Sequence, residues 1–176
     1  LAPGIIVTSA MLSATFECLY GSFLRMIHEK IYDSLIVTPI SAEDAVAGDI
    51  VWAISRGLIS GLLVLIVASF LGVVSISPLA VILLFITLIL VGLVFASLAM
   101  IMTAFAPNFD FFTYYTELFI TPMFFFSEVF FPLDLMPAWV KLIAQFFPLT
   151  HAVIISRSVF AGIFSPALIY HFLALA

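Results

Sequence analysis

FFPLDLMPAWVKLIAQFFPLTHAVIISR, running from Phe130 to Arg157, decides how the rest of this 176-residue chain is read. Proline interrupts it at Pro132, Pro137 and Pro148, and Asp134, Lys141 and Arg157 punctuate otherwise apolar residues. A helix needs about 20 apolar residues to cross a bilayer core, so the pieces Pro137–Phe147 and Pro148–Phe160 are each too short to span. Broken backbone at that depth is tolerated where protein or a water-filled space satisfies its polar groups. Trp139, an apolar ring with one polar donor, and the neighbouring phenylalanines suit a membrane–water interface. The stretch therefore reads as short helices that dip toward the membrane without crossing it, the competing reading being an external loop with interfacial helices.

Working outward, 65% of the residues are hydrophobic and 9% are charged, far from the roughly 45–50% apolar and 25% charged of soluble domains. The chain is expected to be a polytopic, all-α integral membrane protein. A first span is predicted over 4–24, interrupted by Glu17, and a polar island over 25–49 follows it. Within that island Arg25 to Val37 can form a short amphipathic helix stopped by Pro39. Ser41 with an acid three residues on restarts a helix that runs into a second span, giving 42–74 as one segment closed by the Ser75–Pro78 turn. Further spans are predicted over 79–105 and 111–131, the proline-bounded pieces occupy 132–160, and a last span starts at 166–176. Leu1 is not an initiator and Ala176 falls inside an apolar run, so a longer chain is expected.

Charge and motifs exclude several functions. A net charge of −5 argues against nucleic acid and against a polybasic surface anchor. No glycine is followed by lysine, so the G-x-x-x-x-G-K-[ST] phosphate loop is absent. His28-Glu29 begins like the zinc motif H-E-x-x-H, but Tyr32 stands where the second histidine is required. His151 and His171 have no partner at ligand spacing, no nucleophile–base set can be assembled from spacing, and the lone Cys18 excludes an internal disulfide. Arg25, Lys30 and Arg56 near the first polar loop, against Lys141 and Arg157 elsewhere, tilt the positive-inside rule slightly toward a cytoplasmic first loop.

Ionisable groups inside a bilayer cost roughly 2.5–3.5 kcal/mol on insertion scales unless they face protein or water. Glu17, Glu117 and Glu128 are thus candidates to line a translocation path. Glu17 and Glu128 serve equally well as structural hydrogen-bonding groups, and Glu117 lies near a span end where it can simply meet water.

Three stretches carry a family resemblance: PGIIVTSAMLSATFE at Pro3–Glu17, YDSLIVTPISAEDAVAGD at Tyr32–Asp49, and above all FFPLDLMPAWVKLIAQFFPLTHAVIISR. Together they resemble the ABC-2 type permeases, in the branch of the nodulation lipo-oligosaccharide and daunorubicin exporters. The resemblance implies six membrane helices, the first lying before Leu1. It also implies that Arg25 to Thr38, with Arg25, Glu29, Lys30 and Asp33, is a cytoplasmic coupling helix seated in a separate ATPase subunit. Two permeases, as a homodimer or a pair, would assemble with two ATPases in a bacterial inner membrane. ATP and magnesium would bind the ATPase, leaving this chain without a cofactor or a catalytic centre. The segment 132–160 would be a re-entrant pair capping the exit, with Pro132, Asp134, Pro137, Trp139, Pro148, His151 and Arg157 as its gate. Members commonly carry a small residue, often glycine, at the position of Glu128. Glu128 would either make the path acidic or pair with Lys141 or Arg157.

The expected function is the permease subunit of an ATP-driven exporter of an amphipathic, lipid-linked or glycan-type substrate. A proton-coupled secondary transporter using the three glutamates as a relay is the alternative. A membrane enzyme acting on lipid-linked sugars is disfavoured by the missing catalytic cluster.

Overall fold

A computed structural model describes residues 2–36, 38–74, 77–130, 137–163 and 166–175. All regular elements among the described residues are helices. α1 runs Ala2–His28 as one continuous apolar helix, and a break at Glu29 and Lys30 separates it from the short α2, Ile31–Ile36. α3 is Ala42–Phe70 and α4 is Pro78–Phe105. α5 covers residues 110–126, α6 is Ala138–Ala144, α7 is Pro148–Ala161 and α8 is Ala167–Leu175.

α3 and α4, of 29 and 28 residues, are each roughly 40 Å long at 1.5 Å per residue, more than the roughly 30 Å hydrocarbon core requires. Their starts are encoded locally. Ser41 accepts from the Asp44 backbone N–H at 3.2 Å while the Asp44 carboxylate accepts from the Ser41 N–H at 3.1 Å, closing a capping box. Ser77 caps α4, with Pro78 in its first turn. Hydroxyls inside the spans bond back to their own helices: Thr8 to the Gly4 carbonyl, Ser69 to Leu65 and Thr87 to Leu83. They are therefore satisfied without water.

α1 is the most enclosed of the long helices, packed by α3, α4 and α7, whereas α3 turns most of its surface outward. Val7, Met11, Ala14 and Cys18 of α1 share one core with Val91, Phe95 and Ala99 of α4 and Leu149, Ala152 and Val153 of α7. Against α3, the contact is made by small residues. Gly57 and Gly61 form G-x-x-x-G facing Ala10 and Ala14, and a Cβ on Gly57 would lie 2.9 Å from the Ala10 carbonyl oxygen. Without water to drive helices together, such close backbone approach supplies the packing.

Several boundaries differ from the sequence reading. The expected amphipathic helix from Arg25 is divided: Arg25 to His28 complete α1, Lys30 takes a left-handed φ of 51°, and only Ile31–Ile36 forms the separate helix. The second span ends at Phe70 rather than Val74, because Gly72 turns the chain at φ 67°. The fourth ends at Phe126 rather than Phe131, with Glu128 left-handed at φ 63°. Val37, Ser75, Ile76 and residues 131–136, which include Pro132 and Asp134, lie outside the described residues. In the proline-bounded region α6 and α7 meet at 93°, so they do not continue one straight span. Seven and fourteen residues give lengths of about 10 and 21 Å.

Candidate functional site

The polar loop and the ends of α1 and α3 converge on Glu17. On α1, Glu17, Gly21 and Arg25 follow at i, i+4 and i+8, and therefore stack on one face. The helix widens to π-type turns over Glu17–Ser22 and Leu24–His28, a local geometry often found at functional positions. A Cβ on Gly21 would lie 2.6 Å from Glu17 Oε1. Glycine there leaves the carboxylate room to turn along the helix toward Arg25.

On α3, Asp49, Trp52 and Arg56 recur at spacings of three and four and present a matching face. Arg25 Nη1 donates to Glu17 Oε1 at 3.1 Å, Trp52 Nε1 donates to the same oxygen at 3.0 Å, and Arg56 Nη1 donates to Oε2. The other guanidinium nitrogen of Arg25 pairs with Asp49 Oδ1 at 3.0 Å. Asp49 Oδ2 accepts from the Tyr32 hydroxyl at 2.9 Å, which brings α2 into the cluster. Burial, together with the hydrogen bond to Asp49, raises the Tyr32 phenol above its ordinary range, so it stays a donor. The chain Tyr32–Asp49–Arg25–Glu17–Arg56 thus ties the short helix to both membrane helices. Its outer edge opens on a cleft of about 500 Å³ lined by Glu17, Tyr20, Gly21 and Arg56.

Of the residues expected to contact an ATPase, the structure places Arg25 inside this network rather than on the surface. Glu29, Lys30 and Asp33 are exposed around the α1–α2 break. The sequence reading noted Asp49 and Arg56 only as charges and gave no role to Tyr32 or Trp52. The i, i+3, i+7 run Asp49–Trp52–Arg56 was the available signal, while its facing of Glu17 depends on how α1 and α3 pack.

At the other end, Glu128 follows α5. Arg157 Nη1 of α7 donates to Glu128 Oε1 at 2.9 Å and Nη2 donates to the Glu128 carbonyl. Arginine 157 is thus one of the two cations proposed for it. The neighbouring Val129 packs on α1, where a Cβ on Gly4 would lie 3.2 Å from the Val129 carbonyl oxygen, and Ser156 donates to the Pro3 carbonyl. Glu117, in a π-type turn of α5, is exposed. It is not part of either carboxylate cluster.

Pro137 precedes α6 as its N-cap, Pro148 starts α7, and Trp139 is exposed. His151 is buried, and although neither histidine has a partner at ligand spacing in the sequence, its Nδ1 lies 2.8 Å from Nδ1 of His171, twenty residues on. Adjacent helices α7 and α8 bring the two rings together, a contact that helical spacing within one element could not reveal. Among the described residues no group of three or more His, Cys, Asp or Glu side chains could hold a metal.

A family model described as "ABC-2 type transporter" matches residues 1–161. Nodulation protein J of Rhizobium leguminosarum bv. viciae is 39% identical over 92% of this chain and 62% of its own length. Nodulation protein J of Sinorhizobium fredii (strain NBRC 101917 / NGR234) is 39% identical over 89% of the chain and 59% of its own length. The inner membrane transport permease YadH of Escherichia coli (strain K12) is 24% identical over 93% of the chain and 62% of its own length. The chain therefore spans less than two thirds of each of these relatives. No solved structure matches.

Proposed function

Because this chain belongs to the ABC-2 type transporter family, we propose that it is the permease subunit of an ATP-driven exporter for an amphipathic, lipid-linked or glycan-type substrate. On this reading the polar-loop end is cytoplasmic, a separate ATPase binds ATP and magnesium, and two permeases enclose the path. The proline-bounded helices α6 and α7 face outward as the exit cap. No hydrolytic step is assigned to the permease itself.

The observation that carries the reading is the network centred on Glu17. An ATPase needs a small exposed element to push and a stiff connection to the membrane helices. α2 with Glu29, Lys30 and Asp33 around it supplies the first, and Tyr32–Asp49–Arg25–Glu17–Arg56 supplies the second. Displacing α2 pulls on Asp49 at the foot of α3 and, through Arg25, on the last turns of α1. α1 and α3 touch through glycine and alanine, so they can change their crossing with few large side chains to repack.

The proton-relay alternative requires carboxylates that pass protons to one another. Glu17 is paired with Arg25 and Arg56, and Glu128 with Arg157, rather than with another carboxylate. They are also far apart: Val129 packs on Gly4, and Glu17 lies thirteen residues further along α1, about 20 Å away at 1.5 Å per residue.

The reading is tested in inside-out vesicles holding the permease with its ATPase. Accumulation of a fluorescent lipo-oligosaccharide should require ATP and survive a protonophore. Accumulation that ignores ATP and collapses with the protonophore would favour the secondary transporter. Reversing Glu29→Lys and Asp33→Lys together should abolish accumulation while changing stability by no more than about 0.5 kcal/mol, since exposed charges contribute little to folding. Lost accumulation with ATPase assembly and stimulation both normal would remove α2 from the coupling role.

A further inference from the structure

The cleft beside Glu17 holds polar groups that the network leaves unused. Arg56 gives one guanidinium N–H to Glu17, and its other N–H groups have no acceptor among the described residues. Ser13 and Tyr20 line the same space, and neither hydroxyl has a hydrogen-bond partner among the described residues. Ser13 and Glu17 flank the middle of α1, a helix of 27 residues, so these groups stand at membrane depth, where a polar group left without a partner is costly. Thr8, Ser69 and Thr87, by contrast, bond back to their own helices. We propose that the cleft between α1 and α3 binds the neutral, hydroxyl-rich headgroup of an amphipathic lipid, as a glycolipid carries.

The shape of the cleft suits such a group. On α1, Phe16, Tyr20 and Leu24 follow at i, i+4 and i+8 and form one wall, with Phe16 40% and Tyr20 39% exposed. Arg56 of α3 faces them across Glu17. Trp52, one turn before Arg56 and bonded to Glu17, adds a half-exposed indole beside it. Gly21 lines the space without filling it. A sugar has C–H groups on its faces and hydroxyls round its edge, so it needs apolar rings next to hydrogen-bonding groups, which is what the two helices present together.

The charge balance disfavours an ion. Arg25 and Arg56 are matched by Glu17 and Asp49 within one chain of contacts, so the cluster is formally neutral. In the cleft, guanidinium N–H groups stand next to a carboxylate. An anion gains the first and is repelled by the second, and a cation meets the reverse. A hydroxyl both donates and accepts, so it matches the two at once.

As a station on an export route the site rests on the exporter reading. As a binding site it is tested on the permease alone, without ATPase or ATP, so its failure leaves that reading standing. The purified full-length permease is placed in phosphatidylcholine nanodiscs containing equal small amounts of monoglucosyl-diacylglycerol, phosphatidylglycerol and diacylglycerol with the same acyl chains. Retained lipid is identified by native mass spectrometry. One glucolipid per permease is expected, favoured about tenfold or more over either competitor. Ser13→Ala combined with Tyr20→Phe removes two hydroxyls that have no protein partner. It should cut glucolipid retention about tenfold, the loss expected for two modest hydrogen bonds, with the unfolding temperature unchanged. Arg56→Lys keeps a charge facing Glu17 but loses the fork of donors, and should weaken retention in the same direction. Glucolipid retained no better than diacylglycerol, or phosphatidylglycerol retained ahead of it, overturns the neutral-headgroup site. Wild-type retention in the Ser13→Ala, Tyr20→Phe variant overturns its location.

Discussion

Glu17 and Glu128 are both carboxylates in an apolar chain, both paired with arginine, and they do different work. Glu17 sits in the middle of a continuous helix and collects donors from Arg25, Trp52 and Arg56, so that one side chain fastens α1 to α3 and, through Asp49 and Tyr32, to α2. Glu128 stands just past the end of a helix, where Arg157 donates both to its carboxylate and to its backbone carbonyl. The first arrangement transmits displacement between elements. The second pins a turn. An acidic residue in a membrane span is thus informative through the elements it joins rather than through its charge.

The largest predicted effect breaks the first half of that comparison. Glu17→Ala leaves Arg56 and the Trp52 donor without their acceptor and strips Arg25 of one of its two carboxylates. Removing one partner of a buried ion pair costs about 3–5 kcal/mol. The lower end, about 3 kcal/mol, is expected here because Asp49 still pairs with Arg25 and the Arg56 side chain is 57% exposed. Thermal unfolding of the purified protein in detergent measures it, and a loss below about 1 kcal/mol would reduce the network to surface decoration.

Next in size is the contact the network acts on. Gly57→Leu drives a side chain into the Ala10 backbone, and overpacking of this kind costs about 1–3 kcal/mol. It should also shift the α1–α3 crossing, read out as slower disulfide formation between cysteines introduced at Ser13 and Arg56. Unchanged cross-linking would mean that the G-x-x-x-G face is not the packing surface.

The smallest effect sharpens the second half. At φ 63° Glu128 occupies a region in which residues other than glycine pay roughly 1–2 kcal/mol. Glu128→Gly relieves that cost while losing the ion pair with Arg157, so its unfolding temperature should fall less than that of Glu128→Val. Glu128→Val keeps the backbone cost, loses the pair and should destabilise by more than about 1 kcal/mol. Equal behaviour of the two variants would remove backbone conformation from the account.

The same position shows what a sequence can disclose. The family resemblance implies a small residue, often glycine, at the site of Glu128, and the φ of 63° found there is a conformation that glycine adopts without steric cost. Glutamate itself gives no hint of the turn. Long apolar runs, the Ser41 cap with Asp44 and the prolines at 78, 137 and 148 were legible because each acts within a few residues of itself. The break at Lys30 was not, since neither glycine nor proline marks it. The pairing of Glu17 with Arg56 and of His151 with His171 was hidden for another reason. Both partners were visible as residues, but their contact is created by the packing of separate helices.

The central claim is that the network end of the molecule faces the cytoplasm and its ATPase while the proline-bounded end faces outside. Single cysteines at Lys30 and Lys141, each in a Cys18→Ser background, test it directly with a membrane-impermeant thiol reagent. Lysine 30 lies in the break between α1 and α2, and Lys141 lies on α6. The account predicts that Lys141→Cys is labelled in intact cells and Lys30→Cys only after the membrane is opened. Labelling of both positions from the same side, or of Lys30→Cys alone in intact cells, would contradict it.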